Sequence, residues 1–195
     1  MKSLLMSLFG LLVFAGAVRG DHISIYADTG GEYCHLSSLV PFPDYIELYI
    51  VHKFSDGTAG SQFKVNDASG LYPVAQTVPT GYLSLGFWTS DLVIVYGGEC
   101  VVGDHVIMKL SFFWLGQPIE GCNNTLDVAA APTSPIPGEI IVVDCAPQPG
   151  FEPASTGPSF YIGPESENCL DPPGSCIPPI PAHTATWGAV KALYR

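Results

Sequence analysis

Tyr45-Ile46-Glu47-Leu48-Tyr49-Ile50-Val51-His52-Lys53-Phe54 is the stretch that decides the fold. Ile46, Leu48, Ile50, His52 and Phe54 fall on alternate positions and share one face. A period of two over ten residues is the signature of a β-strand with one buried side. A helix would repeat its apolar positions every three to four residues instead. The next residues, Ser55-Asp56-Gly57-Thr58, read as a turn, and Ser61 to Val65 as the strand that returns from it.

The same pattern recurs in both directions along the chain. His22 to Ala27 alternates, with Ile23, Ile25 and Ala27 on one face. Tyr82 to Trp88 and Leu92 to Tyr96 flank Thr89-Ser90-Asp91. Asp104 to Trp114 places Val106, Met108, Leu110, Phe112 and Trp114 together. Leu126 to Ala129 and Glu139 to Cys145 flank a turn region with Pro132, Pro135 and Pro137. About eight short strands with Gly/Pro turns predict an all-β domain, an antiparallel β-sandwich over residues 21–148. Each sheet of a sandwich has one buried and one wet face, which suits the one-sided alternation. Tyr49-Ile50-Val51-His52 and Gln62-Phe63-Lys64-Val65 resemble the early strands of cohesin-type and immunoglobulin-like sandwiches, which implies the same sandwich architecture.

The two ends differ from this middle. Lys2 is followed by a nearly uncharged apolar run from Leu4 to Val18 and by small residues. That is the layout of a secretory signal helix, residues 1–20, with cleavage expected after Gly20. The run is shorter than the roughly 20 apolar residues of a membrane span. No second span is expected after cleavage. Residues 146–181 hold 10 of the chain's 18 prolines. Proline removes a backbone donor, so residues 149–183 are expected to form an irregular Pro-rich connector. Residues 184–195 are expected to form a short amphipathic tail. Within it Trp187, Val190 and Tyr194 share one helical face, and Leu193 lies beside them. Such a tail is too short to hold a helix alone and needs something to dock on. Its Thr186-Trp187-Gly188-x-x-Lys191-x-Leu193-Tyr194-Arg195 pattern resembles the C-terminal tail of a group of uncharacterised secreted proteins from environmental bacteria. That resemblance implies a bacterial, extracellular or cell-surface location and a sorting or attachment role for the tail.

Six cysteines, Cys34, Cys100, Cys122, Cys145, Cys169 and Cys176, are an even number in an exported chain. They predict three disulfides, for which 15 connectivities exist. Order along the chain suggests Cys34–Cys100, Cys122–Cys145 and Cys169–Cys176. None has the C-x₂₋₄-C spacing of a structural zinc site.

Charge narrows the partners. With Lys2 and Arg19 removed, 5 basic side chains remain against 18 acidic ones, a formal charge of −13. Nucleic acid needs a basic footprint and is excluded as a partner. An envelope or extracellular protein, or a polysaccharide, is the expected class. The five histidines, His22, His35, His52, His105 and His183, lack the i, i+4 spacing of a helical zinc site and are most simply strand or loop residues. His52 stands out because it lies on an apolar face. Carboxylates gather in turns, as Asp28 with Glu32 and Glu99 with Asp104, where calcium would bind in extracellular sandwiches, but no EF-hand pattern occurs. No cofactor is expected. G-x-S-x-G, H-E-x-x-H and C-x-x-C are all absent. The expected function is therefore non-enzymatic: a secreted or cell-surface structural or adhesive module. The alternative is a carbohydrate-binding module, calcium-assisted, with Trp88 and Trp114 as its ligand face. Tyr82, Phe87, Tyr96 and Phe113 are further aromatic candidates. A secreted hydrolase ranks third.

Overall fold

A computed structural model describes residues 21–36, 44–114 and 124–162. The expected signal helix and tail, and three of the six cysteines, lie outside the described residues. Eleven strands are found among the described residues: β1 (His22–Tyr26), β2 (His35–Leu36), β3 (Asp44–Asp67), β4 (Tyr72–Thr77), β5 (Leu83–Phe87), β6 (Asp91–Val95), β7 (Val101–Trp114), β8 (Thr125–Ala129), β9 (Ile140–Asp144), β10 (Phe151–Thr156) and β11 (Phe160–Ile162). There is no helix among them, so the described chain is all-β.

The deciding stretch forms a strand, but the expected hairpin does not exist. β3 runs for 24 residues through Ser55-Asp56-Gly57-Thr58 without reversing. These turn-type residues make an in-line irregularity instead. Phe54 has φ 58° and Gly57 has φ 136°. The ladder with β7 shifts register between His52 and Ser55 and again between Ser55 and Thr58. Side chains satisfy the groups that the ladder releases. The Phe54 N–H donates to Asp104 Oδ1 at 2.8 Å, and Ser55 Oγ donates to the Val101 carbonyl at 2.9 Å. A β-bulge bends and twists a strand in this way without ending it.

The bend lets one strand serve several ladders. The first half of β3 pairs with β1 and with β7, and β7 carries β4 at its far side. The second half pairs with β6 and with β9. Its last four residues, Lys64 to Asp67, pair with β8, which carries β11. β8 and β11 also pack against β1 without pairing to it, which closes a second layer over the first. Two ladders are parallel, β1 with β10 and β11 with β2, so the sandwich is not purely antiparallel. Between the layers lie Ile25, Leu48, Ile50, Phe63, Ile94, Leu110, Phe112 and Phe160, each fully buried.

The sandwich also extends past residue 148, its expected end. β10 and β11 occupy the Pro-rich stretch. Pro153 lies where β10 pairs with β9 alone, and the β1 ladder starts only at Ser155. A missing N–H therefore breaks no bond to β1, the condition under which proline is tolerated in sheets.

The expected pairing of the cysteines is corrected. Cys100 bonds Cys145, with Cα atoms 5.7 Å apart, which rules out both Cys34–Cys100 and Cys122–Cys145. Cys34 is disulfide-bonded as well. The bend of β3 explains the Cys100–Cys145 pair. A Cβ on Gly57 would lie 3.0 Å from Cys100 Sγ, so the disulfide rests directly on the glycine. With φ 136° there, Gly57→Ala is expected to cost about 1–3 kcal/mol. Chemical denaturation measures this. A stability equal to wild type would mean that the bend relaxes freely.

Candidate functional site

Three features among the described residues could carry function: a buried polar cluster, an aromatic row and an aliphatic strip.

The polar cluster lies at the bend of β3. His52 is 0% exposed, and its Nε2 is paired with the Asp21 carboxylate. Its Nδ1 is 3.4 Å from Thr58 Oγ1, which is 3.0 Å from Ser55 Oγ. A hydroxyl, an imidazole and a carboxylate thus stand in line, the order of a hydrolase relay. The relay is closed, however. Thr58 and Ser55 are buried, and their hydroxyls are engaged with each other and with the Val101 carbonyl. An acyl substrate has no path to the oxygen. His52 is instead held in the core by its carboxylate, which answers the polar residue noticed on an apolar face.

His105 and Tyr96 complete the cluster. Their rings meet edge to face at 5.1 Å, and His105 is 5.1 Å from the His52 ring. Burial pushes the Tyr96 hydroxyl far above its ordinary value. Burial likewise lowers the His105 pKa from 6.5, partly opposed by its contact with the Gly103 carbonyl. His105 is therefore neutral in the fold where the unfolded chain would already be protonated. Between the lowered pKa and about 6.5 the unfolded state binds the extra proton, so stability falls as pH falls through that window. His105→Asn is expected to flatten this slope. Urea denaturation at a series of pH values reads it directly, and an unchanged slope would exclude His105 as its source.

Metal chemistry finds no cluster. No three His, Cys, Asp or Glu side chains converge on one point among the described residues. The turn carboxylates accept backbone bonds: Asp28 takes the N–H groups of Gly30, Glu32 and Tyr33 at 2.8 to 3.0 Å. This is the usual turn-stabilising use of Asp. Glu99 and Asp104 do not act as a pair either, since Asp104 is bonded to Lys53 at 2.6 Å.

The expected ligand face does not form. Trp88 is 1% exposed and edge-on to Phe112 at 5.6 Å, so it is a core side chain. Trp114 is partly buried against the same core, as is Tyr82, and Tyr96 is buried. Phe87 and Phe113 do reach the surface. Phe113 belongs to the aromatic row. It stands opposite Tyr45 on β3 and Tyr72 on β4, all three exposed. The Tyr45 and Phe113 rings meet at 67°, edge to face rather than as one flat platform.

The aliphatic strip is the feature that sequence reading missed. β5, Leu83-Ser84-Leu85-Gly86-Phe87, alternates as a core strand should, but it is turned over. Ser84 and Gly86 stand opposite the buried Ile94 and Leu92. Leu83, Leu85 and Phe87 therefore point outward, at 67%, 68% and 49% exposure. Position 86, itself exposed, needs glycine. A Cβ on Gly86 would lie 2.0 Å from the Asp91 carbonyl oxygen, and Gly86 has φ 91°. Val95 stands opposite Leu83, and Val93 opposite Leu85. On the next strand Gly60 opposes Val95 and Gln62 opposes Val93, but there the exposed face ends: Gly60 is buried, Gln62 Nε2 donates to Thr133 Oγ1 at 2.9 Å, and Ile141, its partner on β9, is buried. Glycine is needed at position 60, where a Cβ would lie 2.7 Å from the Ile94 carbonyl oxygen. Contiguous exposed apolar area of this kind marks interaction sites, unlike single exposed leucines.

One end of the strip is acidic. Cys100 and Cys145 join the turn after β6 to the end of β9, and Glu99 directly precedes this bridge, whereas Asp144 accepts the N–H groups of Ala146 and Gly150 in its own turn. Asp56 is next to Gly57, which the same disulfide touches. Glu99 also raises the Tyr82 pKa, after burial, which places its charge beside the start of β5.

No protein-family model matches the chain, and no curated protein matches it. Solved structures do. A type III cohesin module from the cellulosomal ScaE cell-surface anchoring scaffoldin of Ruminococcus flavefaciens is similar with TM-score 0.50 and 13% identity, over 80% of this chain and 94% of that one. A type II cohesin domain from the cellulosome of Acetivibrio cellulolyticus gives 0.46 and 12%, over 73% and 95%. A cohesin module from a Clostridium perfringens family 33 glycoside hydrolase gives 0.46 and 7%, over 75% and 98%. At this identity the likeness establishes the fold, a cohesin-like β-sandwich, as the strands around His52 and Phe63 suggested.

Proposed function

We propose that the chain is a non-catalytic protein-docking module that works outside the cell, in a structural or adhesive role, and that it docks through the outer face of β5 and β6. The observation that carries this is the overturned strand: Leu83, Leu85, Phe87 and Val95 form one exposed apolar surface on a rigid sheet. Apolar side chains that a partner desolvates supply most of the binding energy at such faces. The cohesin-like fold supports the reading, because a similar module belongs to a cell-surface anchoring scaffoldin. The Cys100–Cys145 disulfide suits an oxidising, extracellular setting.

Leu83→Ser with Leu85→Ser tests it in the full chain. Both side chains are two-thirds exposed, so the fold should be unaffected. Partner affinity is expected to fall on the order of 100-fold. Tyr45→Ala with Tyr72→Ala should leave it unchanged. The reverse pattern, with retention on an insoluble polysaccharide lost only in the tyrosine variant, would favour the second reading, a carbohydrate-binding face built on Tyr45, Phe113 and Tyr72.

A further inference from the structure

We infer that the aliphatic strip of β5 and β6 is also the seat of the chain's own residues 186–195, bound in cis as a cationic amphipathic segment. The inference rests on the docking face just proposed and names a ligand for it.

Charge is the first argument. Among residues 21–162 the only basic side chains besides histidine are Lys53, Lys64 and Lys109, whereas all but Glu165, Glu167 and Asp171 of the 18 acidic residues lie there. Lys53 is paired with Asp104 at 2.6 Å and Lys109 with Glu47 at 2.8 Å. Besides Lys64, the remaining positive charge after residue 20 lies in residues 186–195, which contain Lys191 and Arg195 and no Asp or Glu. The strip offers a matching charge at its Leu83–Val95 end, where Glu99 precedes the disulfide-bonded Cys100 and acts on Tyr82 at the start of β5.

Apolar matching is the second. Trp187, Val190 and Tyr194 share one face at helical spacing, and Leu193 adds to it. Leu83, Leu85, Phe87 and Val95 give them a surface of similar length. The other apolar surface, around Tyr45 and Phe113, has the Lys109–Glu47 ion pair four residues along the same strand, so its charge is already balanced.

Reach is the third. From Ile162 the chain continues through residues 163–185, 23 residues rich in proline. At about 3.1 Å per residue such a stretch spans up to about 70 Å, enough to reach any face of the domain. Tethering at this length holds the segment at roughly millimolar effective concentration. A contact too weak to form between separate molecules at micromolar concentration forms readily within one. An external partner then competes with the tail, and its apparent affinity is reduced by the fraction of faces that the tail covers.

A photo-crosslinking residue at Val190 of the full chain tests this. The expected adducts fall within residues 83–95. They should drop at least tenfold in Leu83→Ser/Leu85→Ser and in Lys191→Glu/Arg195→Glu, with unchanged melting temperatures. In an equal mixture of isotopically heavy and light chains at micromolar concentration, adducts should join only like to like. Adducts at Tyr45 or Phe113, adducts scattered over the domain, or heavy–light adducts would overturn the inference. Its failure is separable from that of the docking proposal. A partner adduct at Leu85 without a tail adduct leaves the docking reading standing. A tail adduct on the strip with no partner adduct, even in Lys191→Glu/Arg195→Glu, leaves only the tail contact.

Discussion

Replacing Cys100 and Cys145 together by serine is expected to lower the unfolding free energy by about 3–4 kcal/mol. The bridge closes a sequence separation of 45 residues, and loop-closure entropy released in the unfolded chain gives a loss of that size. For a domain of this length it corresponds to a fall of roughly 10 °C in melting temperature. The effect should exceed that of any surface substitution, because the bridge locks the bend of β3. Cys100 Sγ lies against Gly57, and Cys145 directly follows β9. Differential scanning calorimetry of the double variant, under conditions that keep other disulfides oxidised, measures the loss. A change below about 1 kcal/mol would mean that the bend is held by its hydrogen bonds alone, through Ser55, Thr58 and Asp104.

Trp88→Ala is expected to cost about 3–5 kcal/mol, the range for removing a large buried aromatic side chain. The indole is 1% exposed and packs on Phe112. Its backbone is tied on both sides: the N–H donates to Gln76 Oε1 at 3.2 Å, and the carbonyl accepts from the Val65 N–H at 2.6 Å. The cavity would open within the main hydrophobic core, of which Trp88 is one of the largest fully buried side chains. The same variant separates the two roles once open to this residue. Near-wild-type stability combined with lost polysaccharide retention would make Trp88 a ligand contact. Lost stability with unchanged retention, at temperatures where the variant is folded, assigns it to the core.

The strands that were legible in the sequence are those with one buried and one wet face. Tyr45 to Phe54, Leu92 to Tyr96 and Leu126 to Ala129 alternate because each faces a single core, and periodicity reads that directly. Strands that escaped are short, exposed or contain proline. β4 holds Pro73 at a register shift of an outer strand, and β10 holds Pro153 in its singly paired part. Both positions are permitted by pairing that only the folded structure reveals. The misread hairpin has a different origin. Ser55-Asp56-Gly57-Thr58 supplies what a turn needs, and a bulge needs the same residues. What selects the bulge is tertiary: Asp104 and Val101 on β7 satisfy the freed groups, and the disulfide packs on Gly57.

The candidate site was the least legible part. Alternation in Leu83-Ser84-Leu85-Gly86-Phe87 states that the apolar residues share a face, but not which way that face points. A one-residue choice of orientation moves all of them from core to solvent. A hint existed in Gly86, because glycine within a strand marks close backbone approach. Trp88 misled for the opposite reason: its position beside a turn suggested exposure, whereas the turn folds it under. The Cys100–Cys145 pair depends on the bend of β3 and could not be read from order along the chain.

The central claim is that the strip on β5 and β6 is a protein-docking face. The most direct measurement places a photo-crosslinking residue at Leu85 of the full chain in the cells that produce it, with Tyr45 as the matched control. A discrete protein adduct at Leu85 and none at Tyr45, with the Leu85 adduct strengthened by Lys191→Glu/Arg195→Glu, is the predicted result. No protein adduct at Leu85 in either background, or an adduct confined to Tyr45, would contradict the account.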